Sequence, residues 1–420
     1  MPYKVIDYDP GDCGSAPETA FEKPNTTIID KSKKHVIFLV RKPPESIGGV
    51  QRHSARLSDG LAKSYFVEMF NWKGPEWGAP FSFPMFYHKS VRNGAHLVHC
   101  DDAVTSFVGA KISNHSNKKV VATVHGLDII LPLPWYQKRL PAALQSIDHV
   151  VCVSRATAKQ VIKRGVNPER IRIIPNAAEE VDFHIEKNEE LYQKIESQTG
   201  ADLRGKKVLF SLGRPLKRKG FDQFIENVFP HLPEDYVYIA AGPKPKTPKW
   251  LGVSKNIIGR DLHHILSLAS GCYTVHDRLV ELSGHPRVYY FNGVSEELRN
   301  QLYAVSDLFI LPNRTIDGDM EGFGIVALEA AVRGVPVIAT GIEGITDAVI
   351  DGENGYCIPE GDIKKMAGTI KSLIDNPDTL SELGKRARKY TASAFSIASI
   401  VKRYNELFEE LLRNGNGNGH

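Results

Sequence analysis

LFILPNRTIDGDMEGFGIVALEA, residues 308–330, is the stretch on which the fold turns. LFILP (308–312) is an unbroken apolar run, the pattern of a strand covered on both faces. A polar loop follows, and from 323 to about 333 the apolar residues recur with helical period. Strand, loop and helix in that order are half of a βαβ unit, and the unit repeats. KVLFSL (207–212), YVYIAA (236–241), RVYYF (287–291) and PVIAT (336–340) are further strand candidates, with helical pieces near 221–229, 295–304 and 363–390. A second series lies nearer the start: HVIFLV (35–40), HLVHC (96–100), VVATV (120–124), HVVCV (149–153) and IRIIP (171–175). Helical stretches near 49–63, 104–114, 133–147 and 155–165 separate them. Such alternation signals parallel sheets with helices on both faces.

The polar, charged stretch 179–205 divides the two series. The chain therefore reads as α/β, two Rossmann-like doubly wound domains facing across a cleft, at 34–185 and 186–394. Residues 1–33 read as an arm over the first domain. Residues 395–412 read as a closing amphipathic helix with Ile400, Tyr404, Leu407, Phe408, Leu411 and Leu412 on one stripe, and 413–420 as a disordered tail.

Composition sets outer bounds. The 420 residues fit two or three domains, and 42 % hydrophobic with 24 % charged residues is ordinary for a globular protein. These values exclude collagen-like, coiled-coil and disordered classes. The net charge of +4 is too balanced to argue for nucleic acid without a clustered footprint. No apolar run approaches the ~20 residues of a membrane span, and the first residues show no secretory pattern. The five cysteines form no C-x-x-C pair, so reduced thiols are expected.

Ligands of open parallel sheets bind beyond the carboxyl ends of the strands, so the loops there matter most. GRPLKRKG (213–220) leaves the strand KVLFSL. Its charge alone suits a solvated loop. Arg214 and Lys219, held between glycines at a strand exit, point instead to a pyrophosphate. In EGFGIVALEA, Gly322, Phe323, Gly324 and Ile325 open a helix and offer backbone amides to an anion. Glu321 and Glu329 lie up to ~12 Å apart along that helix, about the span from a sugar to a ribose. A carboxylate accepts two hydroxyl hydrogen bonds, so each end of a nucleotide-sugar has a grip. GGVQRH (48–53) brings Gly48 and Gly49 to another helix start, with Arg52 beside them. Its spacing is not G-x-G-x-x-G, which argues against a dinucleotide oxidoreductase. TVHGLD places His125 and Asp128 after the strand VVATV, where a histidine reaches the cleft from the first domain. Asp317-Gly318-Asp319 and Asp7-Tyr8-Asp9 match D-x-D, a Mg²⁺-holding pattern, although a polar loop explains them as well. Nine aromatic residues crowd 65–87, suited to a core, a sugar platform or a bilayer surface. Neither G-x-S-x-G nor a P-loop is present.

Read in order, GGVxxH, HGxD, VSR (153–155), IPN (174–176), GRxxxxKG, EGFGxxxLEA and DGENGYCIPEGD (351–362) resemble family 4 glycosyltransferases of the GT-B fold over about residues 35–412. PNRTIDGDMEGFG is similar to the branch that transfers hexoses to lipid or polysaccharide acceptors. The resemblance implies retaining transfer from a nucleotide-diphosphate sugar, UDP or GDP type, with no bound metal and no other cofactor. It implies that Arg214 and Lys219 hold the diphosphate, helped by amides at Gly48–Gly49 and Phe323–Ile325. Glu321 would bind the transferred sugar, Glu329 the ribose, and His125 would lie near the reacting carbon. Asp128 and Arg52 become acceptor candidates, and the closing helix crosses back to the first domain. EGITDA (343–348) departs from the family, which usually has Pro-Glu in place of Thr346-Asp347.

The expected partners are thus the donor and a glycan or lipid-linked acceptor, with no nucleic acid and with peripheral membrane contact open. The expected location is cytoplasmic, extending to the inner face of the membrane, in envelope or exopolysaccharide synthesis. The rival readings are a nucleotide-sugar epimerase, a phosphorylase on the same architecture, and a catalytically silent nucleotide- or carbohydrate-binding subunit.

Overall fold

A computed structural model of the chain describes residues 5–7, 33–41, 49–71, 82–179, 185–243, 267–268 and 273–414. Two all-parallel sheets organise it. The first contains β2 (His35–Val40), β3 (Phe66–Asn71), β4 (Leu97–Cys100), β5 (Lys119–Val124), β6 (His149–Cys152) and β7 (Ile171–Ile173), in the order β3-β2-β4-β5-β6-β7. The second contains β1 (Val5–Asp7), β8 (Lys207–Leu212), β9 (Tyr236–Gly242), β10 (Val288–Asn292), β11 (Leu308–Leu311), β12 (Val337–Thr340) and β13 (Gly355–Ile358), in the order β1-β10-β9-β8-β11-β12-β13.

Two-sided burial explains the apolar strands. In β2, Val36, Phe38 and Val40 face one core while Ile37 and Leu39 face the other. The helices α2 (Phe83–Arg92), α3 (Ser106–His115), α5 (Pro134–Ser146) and α6 (Arg155–Ile162) cover the Ile37 side, with the short α4 (Leu127–Ile130) leading into α5. Helix α1 (Gly49–Leu61) covers the Val36 side. In the second lobe α7 (Glu189–Thr199), α8 (His276–Leu282), α9 (Glu296–Val305), α10 (Ile325–Val332), α11 (Ile345–Ala348), α12 (Ile363–Ile374) and α13 (Pro377–Ala394) surround the sheet. The last helix, α14 (Ile397–Asn414), lays its apolar stripe against Val36, Phe38 and Leu57 of the first lobe. Tyr404 Oη lies 2.9 Å from Thr123 Oγ1 beneath β5. At about 1.5–3 kcal/mol per large buried side chain, that stripe ties the chain's end firmly to the first lobe.

Several elements depart from the reading of the sequence. Residues 5–7 do not lie over the first domain: β1 pairs in parallel with β10 at the edge of the second sheet. Three residues are too short for any period to show. The polar separator holds a helix, α7, whose Leu191 and Ile195 are buried in the second lobe and whose Asn188 side chain caps its start. The helical stretch 363–390 is two helices, because Pro377 begins a new one at its first position. The tail residues 415–420 lie outside the described residues, as do Gly48 and the 72–81 part of the aromatic segment. Among the described residues, no helix is long and apolar enough to cross a membrane.

Candidate active site

In each sheet the chain winds outward to one side and then returns to the other, leaving a switch point where open α/β sheets bind ligands. In the second sheet that point lies between β8 and β11. The loops leaving these two strands are GRPLKRKG and PNRTIDGDMEGFG, so the two strongest motifs of the sequence meet there. Gly220 makes the meeting possible. It has φ +68, and a Cβ on it would overlap the Pro312 carbonyl. The turn Lys217–Lys219 thereby seats Arg218 and Lys219 against the β11 loop, while Lys217 reaches Tyr273.

Glu321 is the centre of this cluster and is almost wholly buried. Its Oε2 accepts hydrogen bonds from Lys219 Nζ at 2.6 Å, from Asn313 Nδ2 at 2.9 Å, and from Arg218 Nη1. Burial is the strongest influence on the Glu321 carboxyl and opposes ionisation. The charges of Arg218 and Lys219, with the Lys219 and Asn313 hydrogen bonds, outweigh it and hold the group at about 2. Burial pulls the Lys219 ammonium down, and Glu321 partly restores it. Arg218 also pairs with Asp319, 3.2 Å from Nε.

Glu343 completes the back wall. Its Oε2 accepts the Glu321 N–H at 2.6 Å, and the Gly344 N–H returns to Glu321 O at 3.1 Å. At φ +48, Glu343 is the one non-glycine residue with positive φ among the described residues. Burial, with the neighbouring Glu321 charge, raises its carboxyl to about 7, although the Glu321 N–H favours ionisation.

The first lobe faces this cluster with backbone and histidine. A Cβ on Gly322 would overlap the His125 carbonyl, and one on Gly126 would press on Gly322 Cα. The two lobes therefore meet glycine to glycine. The turn at His125 is fixed by Asp128, whose two oxygens accept His125 N–H and Ala103 N–H at 2.9 Å each. His125 Nε2 lies 2.9 Å from the Asp101 carbonyl, which only accepts, so Nε2 carries the proton. Nδ1 is then the ring's open acceptor when neutral, and it is buried without a partner. His53 stands edge-on at 6.5 Å. Beside it Ser54 Oγ donates to Asp101 at 2.5 Å. Burial drives His53 and His99 down to about 3 and raises Asp101 well above the ordinary carboxyl range. Across the switch point of this sheet, Arg41 after β2 pairs with Asp102 after β4.

Lys219, Glu321, Gly322 and His125 thus come together. Arg214 is exposed at the β8 exit and acts on Lys219 and Asp319 through its charge, while the buried arginine of the cluster is Arg218. Sequence reading missed Arg218 because KRK offers three adjacent cations and only the turn decides which are buried. Glu329 does not join Glu321. It sits on α10 beside Tyr303 Oη at 3.3 Å and Arg299 at 4.0 Å. The Phe323 ring is buried 6.0 Å from Phe395, so only its backbone can face a ligand. Asp128 braces the turn, each of its oxygens accepting one backbone N–H. Gly324, at φ +90, caps α10 just before Ile325. Gly49 and Arg52 are described only as backbone positions at the start of α1. Asp317 is exposed whereas Asp319 is buried and paired, so the D-x-D carboxylates are not disposed together.

Two family models match the chain. "Glycosyltransferase Family 4" matches residues 64–180, in the first lobe, and "Glycosyl transferases group 1" matches residues 193–390, in the second. The chain is 23 % identical over 406 residues to alpha-maltose-1-phosphate synthase of Mycolicibacterium smegmatis, covering 88 % of this chain and 97 % of that one. It is 30 % identical over 136 residues to the capsular polysaccharide biosynthesis glycosyltransferase CapM of Staphylococcus aureus, a match spanning 32 % of this chain and 34 % of CapM. Among solved structures, sucrose-phosphate synthase from Thermosynechococcus elongatus aligns with a TM-score of 0.67 at 19 % identity, covering 91 % of this chain and 100 % of that one. Anabaena HepE, crystallised with UDP and glucose, aligns with a TM-score of 0.65 at 18 % identity, covering 90 % and 100 %. At these identities the structural likeness establishes a shared two-lobed architecture.

Proposed function

The chain is a glycosyltransferase of the GT-B fold, similar to family 4, and from that premise we propose that it transfers a hexose with retention of configuration from a nucleotide-diphosphate sugar. The acceptor is a lipid-linked or saccharide chain, in cytoplasmic steps of envelope or exopolysaccharide synthesis. One observation carries the reading. Lys219 and Glu321 share a hydrogen bond at the switch point of the second sheet, facing the His125–Gly126 backbone of the first lobe. The UDP and glucose held by HepE and the capsular role in CapM's name support the donor class and the pathway.

Each residue has a task in that reading. Lys219 and Arg214 meet the diphosphate, with the Gly322–Ile325 amides beside them. Glu321, kept ionised by Arg218, accepts hydrogen bonds from sugar hydroxyls, and Glu329 from the ribose. As the anomeric C–O bond to phosphate breaks, negative charge gathers on the leaving oxygen and positive charge on the anomeric carbon. Preorganised donors at such charge are usually the largest catalytic contribution. The acceptor oxygen bonds to the same face of the carbon and gives its proton to the departing phosphate oxygen. No metal is required, since Lys and Arg carry the phosphate charge and Asp319 is already committed to Arg218.

The test is a thermal-shift panel of UDP, GDP and ADP and their sugars, followed by transfer assays with NMR of the anomeric proton. A specific ligand stabilises by RT ln(1 + [L]/Kd). One nucleotide should stand out, the product should keep the donor's anomeric configuration, and EDTA should not matter. Inversion, or activity lost in EDTA and restored by Mg²⁺, would sink the corresponding part.

A further inference from the structure

The two faces of the first sheet carry different chemistry. Helices α2, α3, α5 and α6 share one face, and their sequences are FPMFYHKSVR, SFVGAKISNH, PWYQKRLPAALQS and RATAKQVI. Together they hold seven Lys or Arg and not one Asp or Glu, in a chain with 53 basic and 49 acidic residues. On the opposite face α14 mixes Glu406, Glu409 and Glu410 with Lys402, Arg403 and Arg413. Four large apolar side chains are exposed among the described residues, and three of them, Met85, Trp135 and Ile162, ride on the acid-free helices. Trp135 is 58 % exposed.

Topology adds a direction. These helices follow strands of an all-parallel sheet, so all run back against the strands and start at the carboxyl edge, where His125 lies. Met85 is third in α2 and Trp135 second in α5, so both stand at the cleft end. Exposed Lys89, Arg92, Lys138 and Arg139 follow within about two turns. An amphipathic Trp135 and an apolar Met85 at one edge, with cations behind them, match an interfacial anchor on an anionic membrane.

We infer that the α2–α3–α5–α6 face is a docking surface for an anionic phospholipid bilayer, holding the cleft mouth at the lipid surface. Trp135 and Met85 enter the interface, and Lys89, Arg92, Lys138 and Arg139 pair with headgroups. Of the two acceptor classes proposed above, the lipid-linked one then fits. Only this step rests on the transfer reading; docking stands apart from it.

Flotation of the full chain with phosphatidylcholine vesicles, with and without phosphatidylglycerol, tests the surface. The wild type should float only when phosphatidylglycerol is present. Lys89→Gln/Lys138→Gln/Arg139→Gln should weaken binding on the order of a hundredfold, at about one decade or less per cation. Trp135→Ser should weaken it too, and Lys402→Gln/Arg403→Gln on the opposite face should not. Nucleotide-induced stabilisation, unchanged in every variant, certifies their folds. Binding that ignores phosphatidylglycerol, survives the triple change, or falls equally with the opposite-face pair would overturn the inference. So would vesicle binding that Trp135→Ser leaves intact while a soluble polyanion displaces it, since that describes a nucleic-acid or polyanion surface. Normal docking without any nucleotide binding would instead count against the proposed function.

Discussion

The two lobes repeat one architecture yet meet the cleft with opposite electrostatics. The second lobe buries charge and pairs it: Arg218, Lys219, Asp319 and Glu321 lie within one cluster. Beside the Arg41–Asp102 pair, the first lobe buries ionisable groups and discharges them. His53 and His99 are held neutral, and Asp101 favours its protonated form. The difference follows from partners. A buried ion persists only with compensating charge and hydrogen bonds, and otherwise shifts to its neutral form. A lobe of paired ions can exchange one partner for a phosphate or a sugar hydroxyl. A lobe of neutral rings and backbone suits an uncharged sugar.

The sharpest way to break this contrast is Lys219→Ala. Glu321 loses one of three donors while still buried, so stability should fall by about 3–5 kcal/mol. Transfer should drop about 10²–10³-fold. His125→Ala in the neutral lobe should cost on the order of tenfold in kcat/KM. Equal losses in kcat/KM and urea midpoint would erase the distinction.

Acid separates the lobes next. His53 and His99 have folded values near 3, below the ordinary 6.5, so the unfolded chain binds their protons first. Their contribution is intact above pH 6.5 and is lost as pH falls toward 3, at up to ~2.7 kcal/mol per pH unit. Asp101, raised, leans the other way. Glu321's contribution is lost only below its ordinary 4.5. A pH series of urea midpoints should therefore weaken between 6.5 and 4.5 in the wild type and less in His53→Gln. Identical slopes would assign the acid loss elsewhere.

Glu343 gives a smaller, opposite effect. Its folded value near 7 exceeds 4.5, so its contribution is complete below 4.5 and lost as pH rises through 7. Glu343→Gln should flatten stability in that window. Glu343→Gly, which also relieves φ +48, should gain about 1 kcal/mol. A destabilised glycine variant would mean that the carboxylate's bond to Glu321 N–H outweighs the strain. The smallest effect belongs to Arg155, whose Nε reaches Asp347 Oδ1 across the lobes at 2.6 Å. It is largely exposed, so Arg155→Ala should cost only about 0.2–1 kcal/mol.

Much of this was legible in the chain itself. KVLFSL and HVIFLV are strands at the residues read, because two-sided burial writes itself as unbroken apolar runs. GRPLKRKG and EGFG fell beside one another because the switch point brings the loops after β8 and β11 together. β3 was hidden: only Phe70 of FVEMFN is buried, so an edge strand lacked the apolar run. Arg218 and Glu343 were hidden for another reason. Which of three adjacent cations turns inward, and which carboxylate reaches a backbone amide, depends on φ at Gly220 and Glu343. Neither angle is written in spacing. For Glu329 a helical rise gives its distance from Glu321 but not its neighbours, and Tyr303 and Arg299 beside it come from a separate helix.

Calorimetric titration of the cognate nucleotide diphosphate and its sugar into wild type, Lys219→Ala and Glu321→Gln decides whether the Lys219–Glu321 cluster is the donor site. Lys219→Ala should lose affinity for both ligands, and Glu321→Gln should keep the nucleotide and lose the increment the sugar adds. Wild-type nucleotide affinity in Lys219→Ala would place the donor elsewhere.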